Sequence, residues 1–257
     1  MPGRLATLAV AVGVAAAQGC AYFSSISSLT PEERTEVRRT LRVESGRYLR
    51  LSYNVTAFYG DSTRLLLSPH EPEELLLPQP DGEPLSPGPV QMVLPAGRPA
   101  KILDLEFPSA LAGVVRPWDM PRSQPWVILG VKYEEDEKDK LADEVADKPR
   151  PLVLLLRPNL ASPEEVEAEV DRYLSKTDVQ PLLEGLSEGM KVAIRRKTAR
   201  LDMPATALEM AWGYPERKEI ELGEEEDDRK EIWIYPGALR KAVLVKDRVV
   251  SLEPEPR

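Results

Sequence analysis

The chain has one cysteine and one histidine in 257 residues, and 6% aromatic side chains. A lone thiol excludes an internal disulfide, and so few soft ligands leave no Cys-rich or Cys/His zinc spacing to find. Positive charge is also short. Lys and Arg number 34 against 43 Asp and Glu, for a formal charge of −9, and the basic residues are scattered rather than striped. That balance argues against a phosphate-backbone footprint, so nucleic acid is not an expected partner. No Gly-x-Ser-x-Gly elbow, phosphate-binding glycine loop or dinucleotide fingerprint is present. The apolar run near the start, Leu5–Ala17, has thirteen residues and no charge. It falls short of the ~20 apolar residues that a spanning helix needs.

What is present suits a globular protein. Hydrophobic residues make up 42% and charged residues 30%, enough to build real cores, and the length suits two domains. Proline is abundant: 25 in all, thirteen of them from Pro69 to Pro125. Proline lacks the N–H that a central ladder requires, so this stretch is expected as loops and edge strands.

Met1–Arg4 is a short cationic head, Leu5–Ala17 an apolar stretch, and Gln18-Gly19 leads to Cys20, the only cysteine. This is the layout of a secretory signal. The Gly19-Cys20 step resembles the lipobox of bacterial lipoproteins. The resemblance implies cleavage after residue 19, lipid on the Cys20 thiol and amine, and a membrane anchor; no other cofactor and no metal is expected. Ala21 after Cys20 resembles an outer-membrane address facing the periplasm.

The expected organisation is a signal peptide over 1–19, a lipidated Ser-rich tether over 20–29, and a β-rich domain over 30–160. A connecting helix over 161–177, a carboxy-terminal domain over 178–252 and a tail over 253–257 follow. Thr30, Pro31 and Glu33 read as a capping box opening a helix that reaches about Leu41. From Gly46 to about Leu156, short apolar or alternating runs such as "RLLLS", "PWVILGVKY" and "PLVLLL" predict strands, read together as a small antiparallel barrel or sandwich. The acidic stretch 134–147 reads as a solvated excursion, because the spacing of a calcium loop is missing. Ser162, Pro163 and Glu165 repeat the capping grammar, with Val166, Val170, Tyr173 and Leu174 on one face. A further helix is expected over 179–196, with Gly185 and Gly189 as possible breaks.

Near the carboxy terminus, "DMPATALEMAWGYP" runs from Asp202 to Pro215. Pro204 suits a helix start, Leu208, Ala211 and Trp212 give an apolar face, Gly213 suits a left-handed stop and Pro215 prevents continuation. The stretch resembles the signature of the SmpA/OmlA (BamE-like) family of small outer-membrane lipoproteins, a Met, a short helix and a closing Gly-x-Pro. Met203, Leu208, Gly213 and Pro215 fall on it without a gap, and Trp233 and Tyr235, two apart on a strand, match a later position. The resemblance implies two helices followed by a three-stranded antiparallel sheet, with "VKDRVVSL" as the last hairpin. It also implies a partner surface built on Met203, Trp212, Gly213, Pro215, Trp233 and Tyr235, with outer-membrane assembly proteins among the partners.

The overall expectation is an α+β, noncatalytic envelope lipoprotein that serves as an interaction module. His70, in "SPHEPEE", is expected to face solvent, and no catalytic residue is assigned. A periplasmic inhibitor or ligand-binding lipoprotein is the alternative. A carboxylate-dependent cell-wall hydrolase is a third reading; 43 acidic residues leave the sequence silent on pairing, and Glu184 and Glu188, one helical turn apart, read more simply as a surface pair. "GEEEDD" at 223–228 reads as a solvated hairpin tip. Trp118 and Trp126 read either as a recognition loop or as core.

Overall fold

A computed structural model describes residues 28–78, 82–108, 121, 124–133, 150–222 and 229–253. Cys20 and the signal segment, most of the tether, Trp118, the acidic stretches 134–147 and 223–228, and the tail beyond Glu253 lie outside the described residues. Among the described residues no helix is long and apolar enough to cross a membrane.

Helix α1 (Pro31–Val43) begins as its capping box dictates. Thr30 Oγ1 accepts from the Glu33 amide at 3.2 Å, and the Glu33 carboxylate accepts from the Thr30 amide at 2.7 Å. Helix α2 (Pro163–Tyr173) starts in nearly the same way. Ser162 Oγ accepts from the Glu165 amide, but the Glu165 carboxylate takes the amide of Ala161 rather than that of Ser162, so the box closes one residue early.

Eight strands form one sheet: β1 (Gly46–Leu49), β2 (Tyr53–Phe58), β3 (Asp61–Ser68), β4 (Met92–Leu94), β5 (Pro99–Glu106), β6 (Trp126–Val131), β7 (Leu152–Leu155) and β8 (Leu174–Ser175). Their order is β4-β2-β3-β7-β6-β5-β1-β8. Every neighbouring pair is antiparallel except β3 and β7, which run parallel with Leu65 opposite Leu152 and Leu67 opposite Leu154. Among the described residues the expected antiparallel barrel or sandwich is thus corrected to one mixed sheet without barrel closure. The physical reason is that a β2–β3 hairpin and a β5–β6–β7 meander meet edge to edge along β3 and β7. An apolar run reads the same in either strand direction.

The central runs are continuous because both sheet faces are buried. Leu65, Leu67, Val127, Leu129, Leu152 and Leu154 point to the face covered by α1 and α2, against Val37, Leu41, Val166 and Val170. The alternate residues Leu66, Trp126, Ile128 and Val153 point to the other face, where Phe58 and Tyr59 join them under Leu75, Leu77 and Leu85. Trp126 is therefore core: its ring meets Phe58 edge-on at 4.9 Å and its indole N–H donates to the Pro121 carbonyl. Helix α2, expected as a connector, is also a layer of this unit.

The helix expected over 179–196 is broken at Gly185 into α3 (Gln180–Glu184) and α4 (Glu188–Arg195), with Ser187 capping the second. Helix α5 (Ala205–Trp212) follows, one residue after Pro204. The sheet beneath has four strands rather than three: β9 (Arg217–Glu221), β10 (Lys230–Ile234), β11 (Lys241–Val245) and β12 (Arg248–Glu253), an antiparallel meander in the order β12-β11-β10-β9. The extra strand is β9, whose residues are all exposed; its ladder to β10, from Arg217↔Ile234 to Glu221↔Lys230, holds it rather than any apolar pattern. Lys246 and Asp247, at φ 49° and 59°, make the two-residue turn expected between β11 and β12. Trp233, Ala242, Leu244, Val249 and Leu252 pack on Ile194, Leu208 and Ala211 as a second core.

Gly213 ends α5 at φ 84°, ψ −170°, a region essentially reserved for glycine. A Cβ there would lie 2.7 Å from the Cβ of Pro69, which follows β3 in the larger unit. Gly213→Ala therefore meets both backbone strain and a clash across the junction. The expected loss is about 2–3 kcal/mol, measured by urea unfolding with the slope unchanged.

Candidate functional site

The parallel pair defines where a crevice can open. After β3 the chain turns toward Leu75 and Leu77, which cover one sheet face, whereas after β7 it runs into α2, which covers the other. Two adjacent parallel strands whose continuations diverge leave a gap at their carboxyl ends, the place where open sheets with parallel strands take ligands. A cleft of about 520 Å³ lies there, within the size range of small-molecule sites.

Its floor and walls come from both units. Ser68, Pro69 and His70 leave β3, while Arg157 and Pro158 follow β7. Arg172 and Tyr173 close α2, and Tyr214, Pro215 and Pro236 come from the four-stranded unit. Tyr214 is the middle residue of the Gly-x-Pro stop, so the backbone device that ends α5 also aims this ring. Its hydroxyl donates to the Arg172 carbonyl at 2.8 Å, its ring meets Tyr173 edge-on at 6.1 Å, and the Arg172 guanidinium lies 4.4 Å above it. Burial pushes the Tyr173 hydroxyl up to about 12, reinforced by Glu169, and burial raises Tyr214 as well. Both rings stay neutral at physiological pH. A second hollow of about 410 Å³, lined by Leu51, Val179, Leu186 and Met210, lies on the other side of Tyr214.

Beneath the cleft, polar groups lock the two sheets together. Arg240 Nε and Nη2 donate to the two carboxylate oxygens of Glu74, each at 2.7 Å, and the guanidinium carbon lies 4.8 Å from the Trp212 ring centroid and 5.0 Å from that of Tyr235. The Glu74 side chain is 1% exposed. Burial alone would raise its pKa, but His70 and Arg240 outweigh that and bring the carboxyl to about 2. His70 Nδ1 lies 3.6 Å from Glu74 Oε2, outside hydrogen-bond distance. The expectation that His70 faces solvent is corrected: the short 3₁₀ turn Pro72–Glu74 folds Glu74 back onto the ring, whose side chain is only 20% exposed. Because the Glu74 charge is already taken by Arg240, this contact orients the imidazole as one wall of the cleft.

Lys197 is the second lock. It is 6% exposed, and its ammonium donates to the carbonyls of Pro69, Ala211 and Ser52 at 2.6, 3.2 and 3.4 Å. Burial pulls it down to about 7, with Glu71 and Glu74 opposing and Arg240 assisting. The Ser52 amide adds a direct bond to the Met210 carbonyl at 2.7 Å.

The residues expected as a partner surface fall differently. Met203, Trp233 and Tyr235 are at most 2% exposed, Trp212 is 8% exposed and Gly213 is buried; only Pro215 reaches the surface, as part of the cleft. The rings belong to the core of the four-stranded unit. Glu184 and Glu188 fall on separate helices, and Glu188 is paired with Lys191 at 2.9 Å, so they are not one helical turn apart on a shared face. Arg157, Arg172, Lys197 and Arg240 carry no sequence signal of their own, one basic residue resembling another until the fold joins them. Comparison of the chain with protein-family models, curated proteins and solved structures finds no match.

Proposed function

We propose that this chain is a noncatalytic lipoprotein of the cell envelope that works by holding a ligand or partner segment in the cleft between its two sheets. One observation carries the binding part: the cleft walls are drawn from both units and are tied down, by Tyr214 on the Arg172 carbonyl and by the Arg240–Glu74 pair below. A rigid site of this kind loses little entropy when it is filled. Anchoring rests on Cys20 and its lipobox-like approach, with the outer membrane, periplasmic side, as the proposed address. Two or three acyl chains hold a folded unit at a bilayer, at about 0.8 kcal/mol per buried methylene.

Labelling cells with a palmitate analogue is expected to mark the wild-type chain and not Cys20→Ser, which should move to the soluble fraction. Label retained in the variant refutes the anchor. Cross-linking in intact cells, with Tyr214→Ala as the cleft variant, tests the binding role: the captured species should fall by about tenfold in Tyr214→Ala. Service to outer-membrane assembly proteins is a second reading. It is favoured by one observation, that Met203 and Gly213 bracket α5 as the SmpA/OmlA-like spacing requires. Capture of assembly components, undisturbed by Tyr214→Ala, would select it.

A further inference from the structure

The cleft carries cations whose hydrogen-bonding capacity is unspent. Arg157 and Arg172 both approach a single carboxylate oxygen, Glu169 Oε2, at 3.4 and 4.0 Å, and the Glu169 side chain is 6% exposed. Arg157 also lies 4.0 Å from Glu165. These are ion pairs at long range rather than hydrogen bonds, so the buried carboxylate fixes two guanidinium groups side by side without consuming their donors. Each guanidinium has five N–H groups in a planar fork suited to carboxylate or phosphate oxygens. The two side chains are 54% and 42% exposed, so these donors are reachable from the cleft. Arg172 is further held over the Tyr214 ring, at 4.4 Å from its centroid.

The remaining surface is of another kind. Leu155, Pro69, Pro215 and Pro236 give the cleft apolar walls, and His70 closes the inner side. Glu216, exposed at the rim, is the one carboxylate among the described lining residues. Charge and shape together call for a ligand with an anionic head and an apolar body.

We propose that the cleft binds an amphiphilic organic anion, its carboxylate or phosphate head on Arg157 and Arg172 and its apolar body between the prolines and Tyr214. This assignment rests on the cleft being the binding site proposed above, and it adds the chemical class. A phosphate head uses both arginines, one guanidinium engaging it through two parallel bonds while the second meets the remaining charge; a carboxylate, with a single charge, takes one fork and shares further N–H donors of the second. Binding is expected to weaken with salt, since the forks are half-exposed.

The test uses the full chain with Cys20→Ser, to keep covalent lipid out of the sample, and titrates it calorimetrically below micelle-forming concentrations. The probes are octyl phosphate, octanoate, octyl glucoside and octyltrimethylammonium. Both anions should bind one to one and more tightly than the neutral and cationic probes. Arg157→Gln and the Arg157→Gln/Arg172→Gln pair should weaken the anions by about tenfold or more while leaving octyl glucoside unchanged. Arg157 is the cleaner site because it is not stacked, and an unaltered thermal transition would report an intact fold. Equal affinity for all four probes, or anion affinity unchanged in both variants, overturns the anion assignment and leaves the cleft as a binding site. Failure of every probe to bind, octyl glucoside included, removes the cleft itself. Phosphatidic acid in phosphatidylcholine vesicles distinguishes the source of the head group: cosedimentation lost in the double variant assigns a lipid, and binding of free anions alone assigns a soluble acid.

Discussion

Arg240→Met should cost the fold about 3–5 kcal/mol at pH 7, the loss expected when one partner of a buried ion pair is removed and the other is stranded. The stranded group is Glu74, whose side chain is 1% exposed and whose two oxygens both accept from Arg240. Methionine keeps most of the apolar contact with Trp212 and Tyr235, so the loss is mainly electrostatic. The loss shrinks with acid. In the wild type the Glu74 carboxyl is held at about 2 against an ordinary 4.5, so its contribution is fully present above pH 4.5 and disappears as the pH falls through about 2. In Arg240→Met the buried carboxyl takes up a proton readily, and acid relieves the stranded charge. The gap between the two proteins, measured by urea unfolding, should therefore narrow from pH 7 to pH 4. A Glu74→Gln/Arg240→Met double variant should recover part of the loss, because neither charge is left alone. A gap that stays constant with pH would mean that Arg240 acts through packing and not through Glu74.

Local devices were legible in the sequence and long-range pairings were not. Thr30 and Glu33 cap α1 because both partners lie within four residues of each other. Gly213 was readable for the same reason, as was the Lys246-Asp247 turn, whose positive φ values are written into one hairpin. The parallel β3–β7 pairing joins Leu65 to Leu152, and nothing in "RLLLS" or "PLVLLL" distinguishes a parallel neighbour from an antiparallel one. The cleft inherits that blindness, since it exists only where those two strands end together. Arg240 and Glu74 are 166 residues apart, and a chain with 34 basic and 43 acidic residues offers too many equivalent pairs to choose this one. The carboxy-terminal motif sits between these cases. It gave the helix and its stop, and it pointed to Trp212, Trp233 and Tyr235 as partner residues. Large aromatic side chains are the most useful core filling in a small two-layer unit, and packing claimed them.

Lys197→Met is expected to cost about 3 kcal/mol at pH 7, and this deficit should widen by about 2 kcal/mol by pH 9. Methionine has a similar unbranched stem and tolerates the φ of 54° no worse than lysine, so the comparison isolates the ammonium. What it strands is specific. The Ala211 carbonyl lies in the last turn of α5, and the residue whose amide would normally reach it, Pro215, has no N–H; the Lys197 ammonium takes that place, with its positive charge at the negative end of the helix. The Pro69 and Ser52 carbonyls lose a donor as well, which removes a bond from each of two segments of the large sheet to the smaller unit. The widening with pH follows from linkage. The folded chain holds Lys197 near 7, whereas the unfolded chain holds it near the ordinary 10.5, so between those limits unfolding takes up a proton and rising pH favours the folded state. That gain is fully present only above 10.5 and is lost as the pH falls through 7. The methionine variant lacks the gain, and every other titrating group is common to both proteins. Stability curves for wild type and Lys197→Met that run parallel from pH 6 to pH 9 would show that Lys197 keeps its proton throughout; the lock would then be a permanent cation on three carbonyls, one for each of its N–H bonds.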